Sequence, residues 1–131
     1  MILKRGLTII RPTQAAEVQA AAKREGVPLY AISASDRETF FDAVRSFLPL
    51  NPPLRSSRSW DALADSLWQG LYDLKVPRTV ILWIDTALFR EESPEDFDTA
   101  LAVLTGITEE LADQGPTAGR PMEVCVYVDE L

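Results

Sequence analysis

Short apolar runs alternate along the chain with longer stretches in which hydrophobic and polar residues are mixed. We predict β-strands in four of these runs, at residues 7–10, 29–33, 79–84 and 123–128. The run at 79–84 (TVILWI) is apolar without interruption, which is typical of a strand that is buried on both faces. The pattern therefore predicts a sheet with buried strands.

Helices are predicted between these strands, because hydrophobic residues recur there every three or four positions. Gly26 closes the first helix, Ser35 to Glu38 forms a capping box for the second, Ser59 is an N-cap for the third, and Ser93 starts the fourth. The predicted apolar faces of the second, third and fourth helices are Phe40, Phe41, Val44, Phe47 and Leu48; Trp60, Leu63, Ala64, Leu67, Trp68 and Leu71; and Phe97, Leu101, Leu104, Ile107 and Leu111.

The element order β-α-β-α-α-β-α-β predicts an α/β fold with a parallel sheet, because alternating strands and helices connect by right-handed crossovers. A chain of 131 residues has the size of one domain. We expect a single compact domain in which residues 1–28 form an N-terminal β-α extension to a core of residues 29–131. The extension is expected either to add a strand to the sheet edge or to form an interface.

The balance of charges restricts the partners. Thirteen Lys and Arg residues against twenty Asp and Glu residues leave a net charge of −7. Proteins that bind nucleic acids neutralise phosphates with Lys and Arg, and so do proteins that bind anionic membranes. We therefore expect no direct nucleic acid partner and no membrane, and we expect a basic protein partner, to which long-range attraction speeds association.

Cysteine and histidine usage limits both the compartment and the chemistry. The one cysteine, Cys125, cannot form an internal disulfide, which is typical of the reducing cytoplasm. No residue is a histidine, which excludes Ser-His-Asp triads, Cys-His pairs and the usual zinc sites. Glycine-rich phosphate loops and the G-x-S-x-G nucleophile elbow are also absent from the sequence. We expect no enzymatic activity, no cofactor and no bound metal, and we expect Cys125 to be a packed core residue.

One pair of acidic residues is the clearest candidate site. Asp61 and Asp65 lie four positions apart on the third predicted helix and therefore share a face. Two such carboxylates can bind an arginine or several cationic groups of a partner. They can also be structural, since the helix dipole favours an acid at the position of Asp61. A catalytic pair or a magnesium site is a third possibility, although no lysine, histidine or third ligand accompanies them.

Residues beside the acid pair are further candidates for partner contact. Trp60 precedes Asp61 and is either an interface anchor or a core residue. Arg55 and Arg58 lie in the predicted loop before the acidic helix, where they are either solvated or in contact with an acidic group of a partner.

The motif Ser59-Trp60-Asp61-Ala62-Leu63-Ala64-Asp65-Ser66-Leu67 resembles the N-[WL]-D-A-L-x-D-C-L pattern of the barstar family, the intracellular inhibitors of barnase-type ribonucleases. Further similarity lies at residues 40–44 (FFDAV), 48–50 (LPL) and 80–83 (VILW), and the order of elements from residue 29 to 128 is similar as well. The resemblance implies a barstar-like parallel sheet of three core strands packed with helices. It also implies a helix and preceding loop that plug a ribonuclease active site, with Asp61 and Asp65 meeting the arginines that otherwise hold RNA phosphate.

The loop before the motif departs from the family pattern. Family members carry an aromatic residue, a glycine and an asparagine there, whereas this chain has Arg55-Ser56-Ser57-Arg58-Ser59. Arg58 is expected to offset the acid pair in part. A family aromatic after the motif falls at Gly70, and a family acid on the later helix corresponds to Glu109 or Glu110. The predicted partner-binding residues are Arg55, Ser57, Arg58, Ser59, Trp60, Asp61 and Asp65.

Three functions follow from these patterns. The first is a barstar-like inhibitor or immunity protein that neutralises an intracellular or toxin ribonuclease. The second is a protein-interaction module of the same fold with a non-nuclease partner, which the altered loop favours. The third is a magnesium-dependent enzyme that uses Asp61 and Asp65.

Overall fold

A computed structural model describes residues 1–130 of the chain and confirms the predicted α/β fold. Ten elements follow one another: β1 (Gly6–Ile10), a 3-10 turn (Pro12–Gln14), α1 (Ala15–Glu25), β2 (Leu29–Ser33), α2 (Arg37–Phe47), α3 (Trp60–Asp73), β3 (Arg78–Ile84), α4 (Ala87–Glu92), α5 (Pro94–Leu111) and β4 (Glu123–Asp129).

The four strands form one parallel sheet in the order β1-β4-β3-β2. Strands β2, β3 and β4 correspond to the three predicted core strands. The N-terminal β-α unit adds an edge strand, because β1 pairs with β4 in the register that sets Leu7 beside Val126.

Helices cover both faces of the sheet. Because side chains alternate along a strand, Ile81 and Trp83 of β3 face the core under α2, α3 and α5, whereas Val80 and Leu82 face the opposite side. Helix α1 packs on that second side with its buried residues Val18, Ala21 and Ala22. Cys125 is fully buried in the same cluster, and burial raises the pKa of its thiol. This placement confirms the prediction that Cys125 is a packed core residue.

Two details of α2 differ from the prediction. The helix begins one residue later than expected, because Asp36 rather than Ser35 is the N-cap and accepts a hydrogen bond from the Thr39 amide at 2.8 Å. This bond lowers the pKa of the Asp36 carboxyl. Phe47, assigned to the apolar face, is 62% exposed, since the chain leaves the helix at this point and Leu48 turns inward instead.

The short helix α4 has no counterpart in the sequence prediction. Its start is fixed from the end of β4, where the buried Asp129 carboxylate accepts hydrogen bonds from the amides of Asp85 at 2.8 Å and Thr86 at 3.1 Å. The six-residue helix is too short to show a clear hydrophobic period. Among residues 1–130, no helix has the length and apolar character needed to cross a membrane.

Candidate functional site

Ser59 starts helix α3 and thereby places the acid pair. Its hydroxyl oxygen accepts a hydrogen bond from the Ala62 amide at 3.3 Å, which confirms the predicted N-cap. Asp61 consequently lies in the first turn and Asp65 one turn further on. The helix is amphipathic. Because its apolar face is buried against the core, Asp61 and Asp65 on the other face point toward solvent.

The two faces of α3 are clearly separated. The buried face carries Leu63, Ser66, Leu67, Gly70 and Leu71. Asp61 and Asp65 are exposed, and within residues 1–130 neither carboxylate forms an ion pair. Two carboxylates one turn apart are thus available to groups outside the protein.

A groove runs between α3 and α5 beside the acid pair. It encloses about 430 Å³, and Ala64, Trp68 and Ile107 line it together with the acids Asp65 and Glu110. Of the two acids that the family comparison suggested for the later helix, Glu110 shares this groove with Asp65. Glu109 lines a different depression, beside Gly6 and Leu7 of β1.

Trp60 is half-buried and packs inward. Its ring lies 4.9 Å from that of Phe41 and 5.7 Å from that of Phe40, measured between centroids, and the guanidinium of Arg37 lies 5.2 Å from it. These contacts join the start of α3 to α2. A part of the side chain remains accessible at the edge of the acidic face.

The α2–α3 loop, residues 48–59, is attached to α2 near its end. Arg45 donates from Nη2 to the Ser57 carbonyl oxygen at 3.1 Å, and Arg37 donates to the carbonyl oxygen of Arg58. The side chain of Arg58 pairs with Glu38 at 3.2 Å between Nη2 and Oε1. Arg58 therefore has its charge partner on α2.

Sequence reasoning missed Arg37 and Arg45. Both lie on α2 four residues from the buried Phe41, one on either side, which is a spacing that places them along one side of the helix. That spacing is the signal the sequence offers. The loop carbonyls that they bind have no side-chain signature.

The beginning of the loop is attached to α3. The Asn51 amide donates to the Ser66 carbonyl oxygen at 3.0 Å, and the Ser66 hydroxyl donates to the carbonyl oxygen of Pro52. The Asn51 side chain donates to the Asp73 carboxylate at 2.6 Å. This bond and one from Gln69 lower the pKa of Asp73. Ser66 occupies the cysteine position of the family motif and here holds the loop.

Gly70 explains one departure from the family pattern. A Cβ at this position would lie 2.7 Å from the backbone nitrogen of Leu50 and closer still to the carbonyl group of Pro49. The loop backbone passes directly over α3, so an aromatic side chain has no room there without a shift of the backbone.

The remaining candidate residues lie on the outer part of the loop. Arg55 is exposed, and within residues 1–130 its guanidinium makes no hydrogen bond or ion pair. Ser57 is half-buried, and its hydroxyl accepts from the Ser59 amide at 3.2 Å. Arg55, Ser59, Asp61 and Asp65 are therefore exposed, whereas Ser57 and Trp60 are partly covered.

Within residues 1–130, the acid pair gains no third ligand. Among residues 1–130, no cluster of three or more His, Cys, Asp or Glu side chains is arranged to hold a metal ion. The magnesium hypothesis thus rests on two carboxylates of one helix.

Comparison with known proteins identifies one family. The family model described as Barstar (barnase inhibitor) matches residues 26–121, which is most of the chain. Neither the curated proteins nor the solved structures contain a match. The matched range includes α2, the loop, α3 and α5, and therefore every residue of the candidate site.

Proposed function

The chain belongs to the barstar family, and from this premise we propose that it inhibits an intracellular or toxin ribonuclease by covering the active site with α3 and the α2–α3 loop. The proposal rests mainly on Asp61 and Asp65, two exposed carboxylates without an ion-pair partner among residues 1–130, on the helix that carries the family motif.

The chemistry of the acid pair suits a site that binds phosphate. A ribonuclease holds the RNA backbone with arginine and lysine side chains, and a carboxylate, like a phosphate, is an anion that can accept two parallel hydrogen bonds from one guanidinium. Two carboxylates one helical turn apart can meet two cationic groups at once. No covalent step is needed, because the inhibitor only has to occupy the place of the substrate.

The charge distribution supports the same surface. Residues 1–28 contain five Lys and Arg residues and only two Asp and Glu residues, so the acidic excess of the chain lies entirely in residues 29–131. This part of the molecule carries α3. At low salt the Debye length is longer, so a basic ribonuclease is attracted from a greater distance, which raises the association rate.

The experiment is an inhibition titration with a panel of purified barnase-type ribonucleases, with RNA cleavage as the readout and the salt concentration varied. We expect stoichiometric inhibition of at least one enzyme, with weaker inhibition at higher salt. The variant carrying Asp61→Ala and Asp65→Ala should no longer inhibit that enzyme. A variant carrying Glu91→Ala and Glu92→Ala on α4 undergoes the same change in net charge at exposed positions and should still inhibit.

These variants separate contact from general charge. If both double variants weaken inhibition equally, long-range attraction explains the effect and the acid pair is not a contact site. If the unmodified chain inhibits no enzyme of the panel, the ribonuclease proposal is overturned for that class of enzymes.

A second function is favoured by the loop. Arg55 replaces the family's loop aromatic and is an exposed cation with no ion-pair partner among residues 1–130, which suits a partner with an acidic group next to its basic site. Such a partner need not be a nuclease. Affinity capture with the unmodified chain, compared with the Asp61/Asp65 double variant, tests this alternative: a non-nuclease protein captured only by the unmodified chain supports it.

A further inference from the structure

Two arginines outside the proposed contact surface hold the part of the α2–α3 loop next to α3. Arg37 is the first residue of α2, and Arg45 lies in its last turn. They donate hydrogen bonds to the carbonyl oxygens of Arg58 and Ser57 respectively. Two consecutive peptide groups of the loop are therefore fixed against α2, immediately before the N-cap of α3.

The two guanidinium groups are themselves held in place. They lie on the same aromatic ring, that of the buried Phe41, at 5.7 Å for Arg37 and 5.9 Å for Arg45 from the centroid. Arg37 also lies 5.2 Å from the ring centroid of Trp60 and 3.8 Å from the carboxylate of Asp96 on α5. A planar guanidinium held near a ring by a cation–π contact presents its donors as a rigid fork, which a lysine ammonium does not.

The polar contacts of Arg45 serve mainly the loop. Its side chain is 18% exposed, and its Nε is buried without a hydrogen-bond acceptor among residues 1–130. Its other polar contact is with Asp42 at 3.5 Å, and that carboxylate is largely exposed. The bond to the uncharged Ser57 carbonyl is shorter than the contact with Asp42, at 3.1 Å.

From these contacts we infer that Arg37 and Arg45 are positioning residues, which keep the α2–α3 loop in its partner-binding conformation before a partner arrives. The inference rests on the proposed function, because the loop belongs to the proposed contact surface. Ordering a loop on binding reduces affinity, and a loop that is ordered beforehand avoids this cost. The loop lacks the family's aromatic, glycine and asparagine, and side chains from α2 hold it in place instead.

The first test uses the free protein and needs no partner. Backbone ¹⁵N relaxation is measured in the unmodified chain and in the variant with Arg37→Met and Arg45→Met, which keeps an apolar stem over Phe41 but has no donors. We expect the order parameters of residues 55–58 to fall from about 0.85 to below about 0.6, while those of the sheet stay unchanged.

Arg90→Met is the matched control. Arg90 is 31% exposed and stacks on Phe97 at 4.4 Å, but its polar contacts are with Thr86, Asp129 and Glu130, away from the loop. Its removal should leave the loop order parameters unchanged. If the double variant keeps an ordered loop, the inference is wrong. It is equally wrong if the double variant loosens the whole protein to the same degree, since the arginines then have a general stabilising role.

The second test connects the loop to binding. Against a ribonuclease that the unmodified chain inhibits, the double methionine variant should show an inhibition constant about tenfold weaker, the size of effect expected from two lost hydrogen bonds. A mobile loop with unchanged inhibition would overturn the positioning role. If no ribonuclease is inhibited, the proposed function fails, whereas the relaxation measurement still decides whether the arginines hold the loop.

Discussion

The two faces of α3 have opposite properties although their residues alternate within one helix. The inner face is packed without space around Leu67 and Gly70. The outer face carries Asp61 and Asp65, which are exposed and form no ion pair within residues 1–130. The stability of this helix and its proposed function therefore depend on different residues, and variants of the two faces should have separate effects.

The largest effect on stability is expected from Leu67→Ala. Leu67 is fully buried beneath the acidic face, and truncating a leucine in such a position typically lowers the free energy of unfolding by about 3 kcal/mol. Urea denaturation followed by circular dichroism measures this change. A loss below about 1 kcal/mol would show that the inner face is not tightly packed around Leu67.

A somewhat smaller effect, about 2 kcal/mol, is expected from Gly70→Ala, because the new Cβ overlaps the backbone of the loop. Gly106→Ala is the matched control: Gly106 lies within α5 and has open space at its Cβ position. This control should be neutral or stabilising by up to about 1 kcal/mol, since alanine favours helix. If both variants have the same free energy of unfolding, the loop does not pass as close to α3 as the Gly70 contacts indicate.

A pH-dependent effect is expected at Asp73, an exposed acid of α3 that has a structural role. Hydrogen bonds from Asn51 and Gln69 hold its pKa below the ordinary value of 3.8. Because the pKa is lowered in the folded state, the stability these bonds contribute is present above pH 3.8 and is lost as the pH falls through the lowered pKa. An NMR titration of the Asp73 carboxyl carbon should give a midpoint below 3.8 in the unmodified chain. The midpoint should move upward in Asn51→Ala, and a midpoint that stays in place would contradict the bond.

The smallest effect on stability is expected from the acid pair itself. The double variant Asp61→Ala, Asp65→Ala should change the free energy of unfolding by no more than about 0.5 kcal/mol, as is usual for exposed positions. Loss of the favourable dipole interaction of Asp61 and relief of repulsion between like charges act in opposite directions. Chemical denaturation measures the change. Destabilisation comparable to that of Leu67→Ala would mean that the acids are structural.

The sequence predicted the fold because most of its elements carry their own local signals. The continuous apolar run of β3, the capping residue Ser59 and the glycine after α1 sufficed to place these elements. The predicted start of α2 was one residue early because Ser35 and Asp36 are both good caps, and Thr39 bonds to the second. Helix α4 was missed because its start depends on Asp129, more than forty residues away.

Of the candidate site, the two acids could be predicted from the sequence, whereas the residues that hold the loop beside them could not. The spacing of Asp61 and Asp65 is a local property of a helix, so the sequence alone places them on one face. The bonds from Arg37 and Arg45 to loop carbonyls, and the passage of Pro49 over Gly70, join segments that are distant along the chain. Contacts of this kind depend on how α2, the loop and α3 pack together. Every residue has a backbone carbonyl, so the sequence does not indicate which carbonyl accepts the bond.

The most direct test of the central claim is a double-mutant cycle between Asp65 and an active-site arginine of a ribonuclease that the chain inhibits. Inhibition constants are measured for both proteins in unmodified form, for each single alanine variant and for the pair. We predict a coupling energy above about 1 kcal/mol, as expected for charged groups in contact. Additive effects, with a coupling energy within about 0.5 kcal/mol of zero, would show that Asp65 does not meet the phosphate-binding arginines and would contradict inhibition through the acid pair.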